Sequence, residues 1–443
     1  MRSIFFLILC LPCIHVQGQL GAISGIPKSE PRRMSTFGES EGYHGRVRAG
    51  VGFATMDNET YLSMSFSPEF QLGKISAAFD LEFYFGGDGS IHFRDDMYDD
   101  GAGWLRTIRH IYWGSSNDVL HTGVGTLYDM SFGTGMLVSH YNNASNWDQR
   151  KFGFLIDFNF PAFSIEAFSS NLLNKELLAG RVAATPFFRY NAPFFNTLEV
   201  GSTMFRDTEP DPNGIAPSSS STLSAMGFDV GFYPIKTNGF QWKIFAEYAN
   251  YENFGHGQGV GTMFRLPDLL DDVLDLEVTY EIRKSKEQFI PGYVNPAYEL
   301  NRVRTGLLEL MEQAPNGISH FTQLHSRILE GLHLEASYSS PVEESEMGLF
   351  TAEAMIPDFF GPVSLSASYT KAHMDGFGGI TDIDENSVVR AMVDWRITSL
   401  FYLSILYRAH WIEKTVLDAS DKPIKIYQKQ DTFQPQLAMK WKF

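Results

Sequence analysis

From about residue 43 onward this sequence alternates with a period of two. Leu274, Leu276, Val278, Tyr280 and Ile282 interleave with Asp275, Glu277, Thr279, Glu281 and Arg283. Phe79, Leu81, Phe83 and Phe85 interleave in the same way with Asp80, Glu82 and Tyr84, and Val389, Ala391, Val393 and Trp395 with Arg390, Met392, Asp394 and Arg396. Successive side chains of a strand point to opposite faces, so each stretch predicts a strand with one apolar and one polar face. Weaker alternation covers other stretches, among them 152–169, 196–206, 222–233, 318–340 and 346–356. Clusters of Gly, Pro, Asn and Asp between them suit hairpins rather than crossover helices. The predicted fold is all-β, an antiparallel up-and-down barrel of about 16–18 strands.

Two features favour a membrane barrel over a secreted β-sandwich, the alternative for strands that are apolar on one side only. Many stretches run nine residues or more, the length that a tilted strand needs to cross a bilayer. Aromatics also gather at strand ends, as in Phe83, Tyr84 and Phe85, Tyr112 and Trp113, Phe187, Phe188 and Tyr190, and Tyr248 and Tyr251. Interfacial girdles have this pattern. After Ile14 no run approaches the ~18 consecutive apolar residues of a membrane helix, so any crossing must be made by strands.

The N-terminus reads as an export signal. Arg2 precedes an apolar run from Ile4 to Ile14, and Val16 and Gly18 stand in the small-residue positions of a cleavage site. The division expected is therefore a signal peptide over 1–18, a flexible lead or small plug over 19–42 and a transmembrane barrel over 43–443. Both cysteines, Cys10 and Cys13, fall in the signal, which leaves the mature chain without thiol chemistry. The net charge of −17 becomes one unit more negative once Arg2 is removed. So acidic a chain is a poor ligand for nucleic acid, whose phosphates reward basic faces.

The last strand places Leu437, Met439, Trp441 and Phe443 on one face, and Gln436, Ala438, Lys440 and Lys442 on the other. It resembles the terminal strand of Gram-negative outer-membrane proteins, which ends in an aromatic residue recognised by the barrel-assembly machinery. The resemblance implies an outer-membrane location, contact with outer-membrane lipid and lipopolysaccharide, and Leu437, Met439, Trp441 and Phe443 as the assembly signal.

With lipid outside, charged residues must point inward, because a charge facing lipid at mid-depth costs roughly 2–4 kcal/mol. The expected lumen charges are Arg46, Arg48, Asp80, Glu82, Glu247, Glu277, Glu281, Arg283, Arg390, Asp394, Arg396 and Arg408. They either pair and fill the interior or form a field that orients solutes. Two segments depart from alternation. Asn295–Gln313 carries Leu300, Val303, Leu307, Leu310 and Met311 at helical spacing, predicting a helix that narrows the barrel or packs on its loops. Asp129–Asn146 is rich in Gly, Ser and Asn and predicts a short loop helix or a turn inserted in the lumen.

Asp95, Asp96, Asp99 and Asp100 make a weak Ca²⁺ candidate, without the spacing of an EF-hand loop. No His-Glu-x-x-His pattern occurs, none of the twelve histidines directly precedes an Asp, and Ser139-His140-Tyr141-Asn142-Asn143 has a lipase's residue types in the wrong order. No enzyme activity and no cofactor are expected. Two functions remain open: a porin-like channel or transporter for small solutes, and a filled barrel that binds or assembles other envelope components.

Overall fold

The computed structural model describes residues 45–56, 59–85, 91–92, 101–116, 118–145, 150–190, 192, 194–212, 222–269, 273–304, 306–329, 331–341, 346–356, 361–417 and 423–442. The expected signal over 1–18, the lead over 19–42, Asp95, Asp96, Asp99, Asp100, Phe443 and the side chain of Arg46 lie outside them.

One antiparallel sheet contains every described strand, from Gly45–Met56 to Pro423–Lys442. Each strand pairs with its neighbours in sequence, and the first pairs with the last through Val51↔Leu437 and Arg48↔Lys440, which closes the sheet. Closure leaves no unpaired edge, the condition for a sheet to sit in hydrocarbon. Ile75–Phe79 and Leu81–Phe85 are halves of one stave broken at Asp80, and both pair with Glu59–Leu72. Ile91–His92 and Ile108–Trp113 share the next stave. The barrel therefore has 20 staves.

That number corrects the expected 16–18. The stretches 152–169 and 318–340 are not single strands but hairpins, Gly153–Asn159 with Phe163–Ser169 and Gly317–Ile328 with Leu332–Ser339. Their turns are only three residues long, and apolar residues such as Phe160 and Leu329 continue through them. A single Pro161 or Gly331 is the main compositional mark where the chain reverses, in place of a cluster of turn residues.

Burial follows the alternation. Val51, Phe53, Met64, Phe66, Val260, Ile282 and Leu437 are exposed on the outside, while their neighbours in sequence turn inward. So extensive an apolar exterior is stable in lipid and would associate in water. Trp113, Phe163, Phe195, Trp395, Phe401 and Trp441 are exposed near the end of the barrel that carries the short turns. Tyr84, Tyr112 and Tyr251 depart from the expected girdle. They are buried inside the barrel, because adjacent strand residues cannot share a face.

Two long connections leave the opposite end and fold back into the lumen. One runs from Thr126 to Phe152 and the other from Glu287 to Asn316. The largest hydrophobic core of the molecule forms where they meet, inside the barrel.

Candidate functional site

The first inserted segment is a turn stabilised by its own backbone. Met130 and Tyr141 pair across it, Asn143 accepts the Leu127 N–H at 2.8 Å, and Gly133 and Gly135 take positive φ at its tip. A side chain at Gly133 would run into the Arg181 guanidinium on the wall, so the tip sits against the strands. The Thr134 hydroxyl, also at the tip, donates to Glu247.

The second segment docks on the first by main-chain bonds. Gly292 N–H donates to Met136 O (2.7 Å), Val294 N–H to Leu137 O (3.1 Å) and Ser139 N–H to Val294 O (2.9 Å). In place of the single expected helix, the segment holds two short ones, Tyr298–Arg304 and Leu307–Glu312. Gly306, at φ 80°, turns the chain between them. Leu307, Leu310 and Met311 are buried as their spacing predicts, but Leu300 is half-buried, Val303 is exposed and Arg302 and Arg304 are buried. The periodicity therefore marks the packed face of the second helix and not of the first.

These loops meet an apolar part of the wall. Phe168 lies 5.4 Å from Phe132 and stacks on Tyr141, Phe205 stacks on Tyr293 at 5.1 Å, and Tyr251 stacks on Phe289 at 4.4 Å. A fully buried side chain of this size contributes about 1.5–3 kcal/mol.

Polar pins hold the loops from above. Arg302 reaches Glu176 and Glu209 (2.5 and 2.9 Å) and donates from Nε to Glu209 O (2.8 Å). Asp207 accepts the hydroxyls of Tyr293 and Tyr298, both at 2.8 Å. Burial raises the pKa of Glu176, but Lys151 and Arg302 outweigh it and bring the carboxyl to about 2. Burial and then Asp207 push the Tyr298 hydroxyl well above its usual range, so it stays protonated and donates.

The opposite part of the wall is polar, and a cleft remains between it and the first inserted segment. Its room is about 70 Å³, on the order of five water molecules. Asp129, His140, Glu335, Glu353, Arg390 and Arg408 are among the residues that face it. Strand register explains the order of charges. Glu277 pairs with His325, His325 with Glu335, Glu335 with Glu353, Glu353 with Ser368, Ser368 with Arg390, and Arg390 with Arg408. One line of cross-strand partners therefore runs from acidic to basic across seven neighbouring strands. In the low dielectric of a lumen, such a row produces a field across the cleft.

The charges singled out from the sequence separate into three groups. Arg48, Asp80, Glu82, Asp394 and Arg408 lie near the seam and are mostly paired. Arg48 bonds Asp394 at 3.2 Å, Arg408 bonds Glu82 at 2.8 Å, and Asp80 lies 3.6 Å from Arg109. Glu247, Glu281 and Arg283 face the inserted loops, with Arg283 on Glu281 at 2.8 Å and over the Phe321 ring at 4.5 Å. Glu277 and Arg390 stand in the register row. Arg396 is elsewhere: it is exposed where its strand ends, with its guanidinium on Gly361 O at 3.4 Å. Of the terminal strand, Leu437 and Trp441 are exposed on the outer face, and Met439 is half-buried there.

Glu335, Glu353, His325 and Asp129 were not singled out from the sequence, and His140 entered only in the lipase-type motif whose order is wrong. Glu335 and Glu353 have the signal of an acid between small or apolar residues within a strand, as in Leu334-Glu335-Ala336 and Ala352-Glu353-Ala354. Asp129 and His140 have no such signal, because loop backbone alone positions them.

No known protein family and no curated protein matches this sequence. Among solved structures the chain is similar to OccK2 (OpdF) of Pseudomonas aeruginosa, determined in complex with glucuronate. The identity is 9%, the coverage 92% of this chain and 100% of that one, and the TM-score 0.34. It is similar to OpdK of the same organism, determined with vanillate, at 8% identity over 91% of this chain and 100% of that one, with TM-score 0.33. It is also similar to OmpT, an outer membrane protein of Vibrio cholerae, at 10% identity over 91% and 99%, with TM-score 0.29. At these identities and TM-scores the likeness assigns no solute, partner or activity to this chain.

Proposed function

We propose that this chain is an outer-membrane barrel of a Gram-negative bacterium that passes small solutes through the cleft beside its inserted loops. The observation that carries the proposal is the row of cross-strand partners from Glu277, Glu335 and Glu353 to Arg390 and Arg408, the last four of which line the cleft. A solute with separated charges aligns with that field, whereas a filled scaffold gains nothing from a polar cleft with charges sorted along it. The room of about 70 Å³ is small for an organic solute, so passage of one requires the inserted loops to give way. In this reading residues 1–18 are removed on export, lipid and lipopolysaccharide surround the apolar exterior, and the barrel-assembly machinery inserts the chain.

The test is conductance of the purified protein in planar bilayers. Discrete steps, with an ion preference that changes when Glu353 or Arg390 is neutralised, are expected. Bilayers that stay silent over a wide range of voltage and solute would rule out a channel.

One observation favours a second reading, a filled barrel that binds or assembles envelope components. The loops build an apolar core against much of the wall. That reading calls for a stable partner that co-purifies with the barrel, and recovery of the free monomer alone counts against it.

A further inference from the structure

Asp129, His140 and Glu335 converge at the boundary between the inserted loop and the polar wall. His140 Nδ1 is 2.5 Å from Asp129 Oδ1 and 3.7 Å from Glu335 Oε1, and the three donor atoms lie within 4.8 Å of one another. Donors bound to one tetrahedral ion at ordinary zinc distances stand ~3.3 Å apart, so displacements of about an ångström would bring these three to that spacing. One imidazole and two carboxylates form a donor set that suits a first-row divalent ion.

Three further observations point to a ligand here. Asp129, His140 and Glu335 all line the cleft, which has space for water to complete the coordination. Tyr128 lines the same cleft and is nine-tenths buried, and its buried hydroxyl has no hydrogen-bond partner among the described residues. A water held by an ion would satisfy it. Glu335 also stands directly opposite Glu353 on the neighbouring strand, which concentrates carboxylates beside the three donors.

The site has the supports of a metal centre. Gln323 donates to Glu335 at 2.7 Å, and the His140 N–H donates to the Ser131 hydroxyl at 2.8 Å. Asp129 (φ 51°) and His140 (φ 55°) both hold left-handed backbone and directly precede the paired Met130 and Tyr141. That conformation turns both side chains to the same side of the loop.

We infer that Asp129, His140 and Glu335 bind a divalent transition-metal ion that clamps the inserted loop to the barrel wall beside the cleft. Two ligands come from the loop and one from a strand, so the bound ion fixes the loop's distance from the wall. The inference stands whether or not the barrel conducts.

Zn²⁺ alone is the probe, added to chelator-treated full-length barrel in detergent and followed by calorimetry and by metal analysis after gel filtration. Wild type should retain about one Zn²⁺ per chain, and hydrogen exchange in residues 129–141 should slow on binding. His140→Ala and Glu335→Gln should each weaken binding by at least about 100-fold, the upper end of what loss of an outer-shell partner costs. Gln323→Ala should weaken it by about tenfold. If His140→Ala fails to fold, His140→Cys with Co²⁺ should give thiolate-to-cobalt absorption, and Glu335→Gln still tests the wall ligand. Absence of stoichiometric Zn²⁺ in wild type, or binding unchanged in both Glu335→Gln and a folded His140 variant, overturns the site. Conductance plays no part in these readouts, so the clamp can fail while the channel stands, and the reverse.

Discussion

Replacing Arg302 with Ala removes the cation that ties the helix Tyr298–Arg304 to the loop end at Glu176 and Glu209. The side chains of Arg302 and Glu176 are 5% and 7% exposed, whereas that of Glu209 is 48% exposed. Breaking a buried pair from one side costs about 3–5 kcal/mol when the remaining charge is left alone. Glu176 keeps Lys151, so the loss is nearer to that of a hydrogen bond between charged groups, about 1.5–3 kcal/mol. A half-exposed pair such as Arg302–Glu209 adds only about 0–1 kcal/mol. The buried contact therefore dominates, and the undocked state of the 287–316 segment should become about 10- to 150-fold more populated. Hydrogen exchange reads this directly: amides of Tyr298–Arg304 should lose protection by that factor while those of Leu274–Lys286 hold. Glu209→Gln should change protection by about fivefold or less. A folded Arg302→Ala barrel whose helix keeps wild-type protection would refute the assignment of Arg302 as the pin.

Three further outcomes are expected. Leu324→Arg places a charge on the exposed outer face between Val278 and Ala336 and should cost about 2–4 kcal/mol in vesicles; a denaturant midpoint equal to wild type would place this face outside hydrocarbon. Arg390→Gln and Glu353→Gln should shift reversal potentials in a salt gradient in opposite senses, toward cations and anions respectively. A monovalent ion ~5 Å from either charge exchanges about 3 kcal/mol with it at an effective dielectric of ~20, so shifts of the same sign would exclude the field. Glu176 has its folded pKa depressed from 4.5 to about 2, so its contribution is present above 4.5 and is lost as pH falls through about 2. Protection of the helix Tyr298–Arg304 should stay level down to about pH 4.5 and decline below it, and Arg302→Ala should flatten that dependence.

The barrel was legible because a strand with one face in lipid and one in the lumen writes its burial into every second residue. Asp275, Glu281 and Arg283 could be placed inside from Leu274, Tyr280 and Ile282 alone. The stave number was less legible, since the turns at 160–162 and 329–331 are only three residues long and each is marked chiefly by one residue, Pro161 or Gly331. The cleft was least legible of all. Its row from Glu335 to Arg408 depends on strand register, which sets which residues face one another across strands, and no single stretch of sequence contains that information. The inserted segments carried apolar residues without saying against what. Met136, Leu137 and Tyr298 find partners only because the wall opposite them presents Phe168, Leu177 and Phe205 inward.

The pairing of Val138 with Val294 also bears on the order of assembly. These residues belong to connections separated by eight staves, and their bridge has no meaning until those staves stand side by side. Closing so long a loop is unfavourable in an unfolded chain and slow to be rewarded. The inner core should therefore form late, when the sheet has curved far enough to bring both connections into one space. Until then Leu137, Val138, Val294 and Tyr298 are apolar surface without a partner, the kind of surface on which nascent chains aggregate. The meeting of Gly45–Met56 with Pro423–Lys442 would trap the loops inside, so sealing the seam and filling the lumen become coupled steps of biogenesis. A chain that closes first must admit its loops through the mouth.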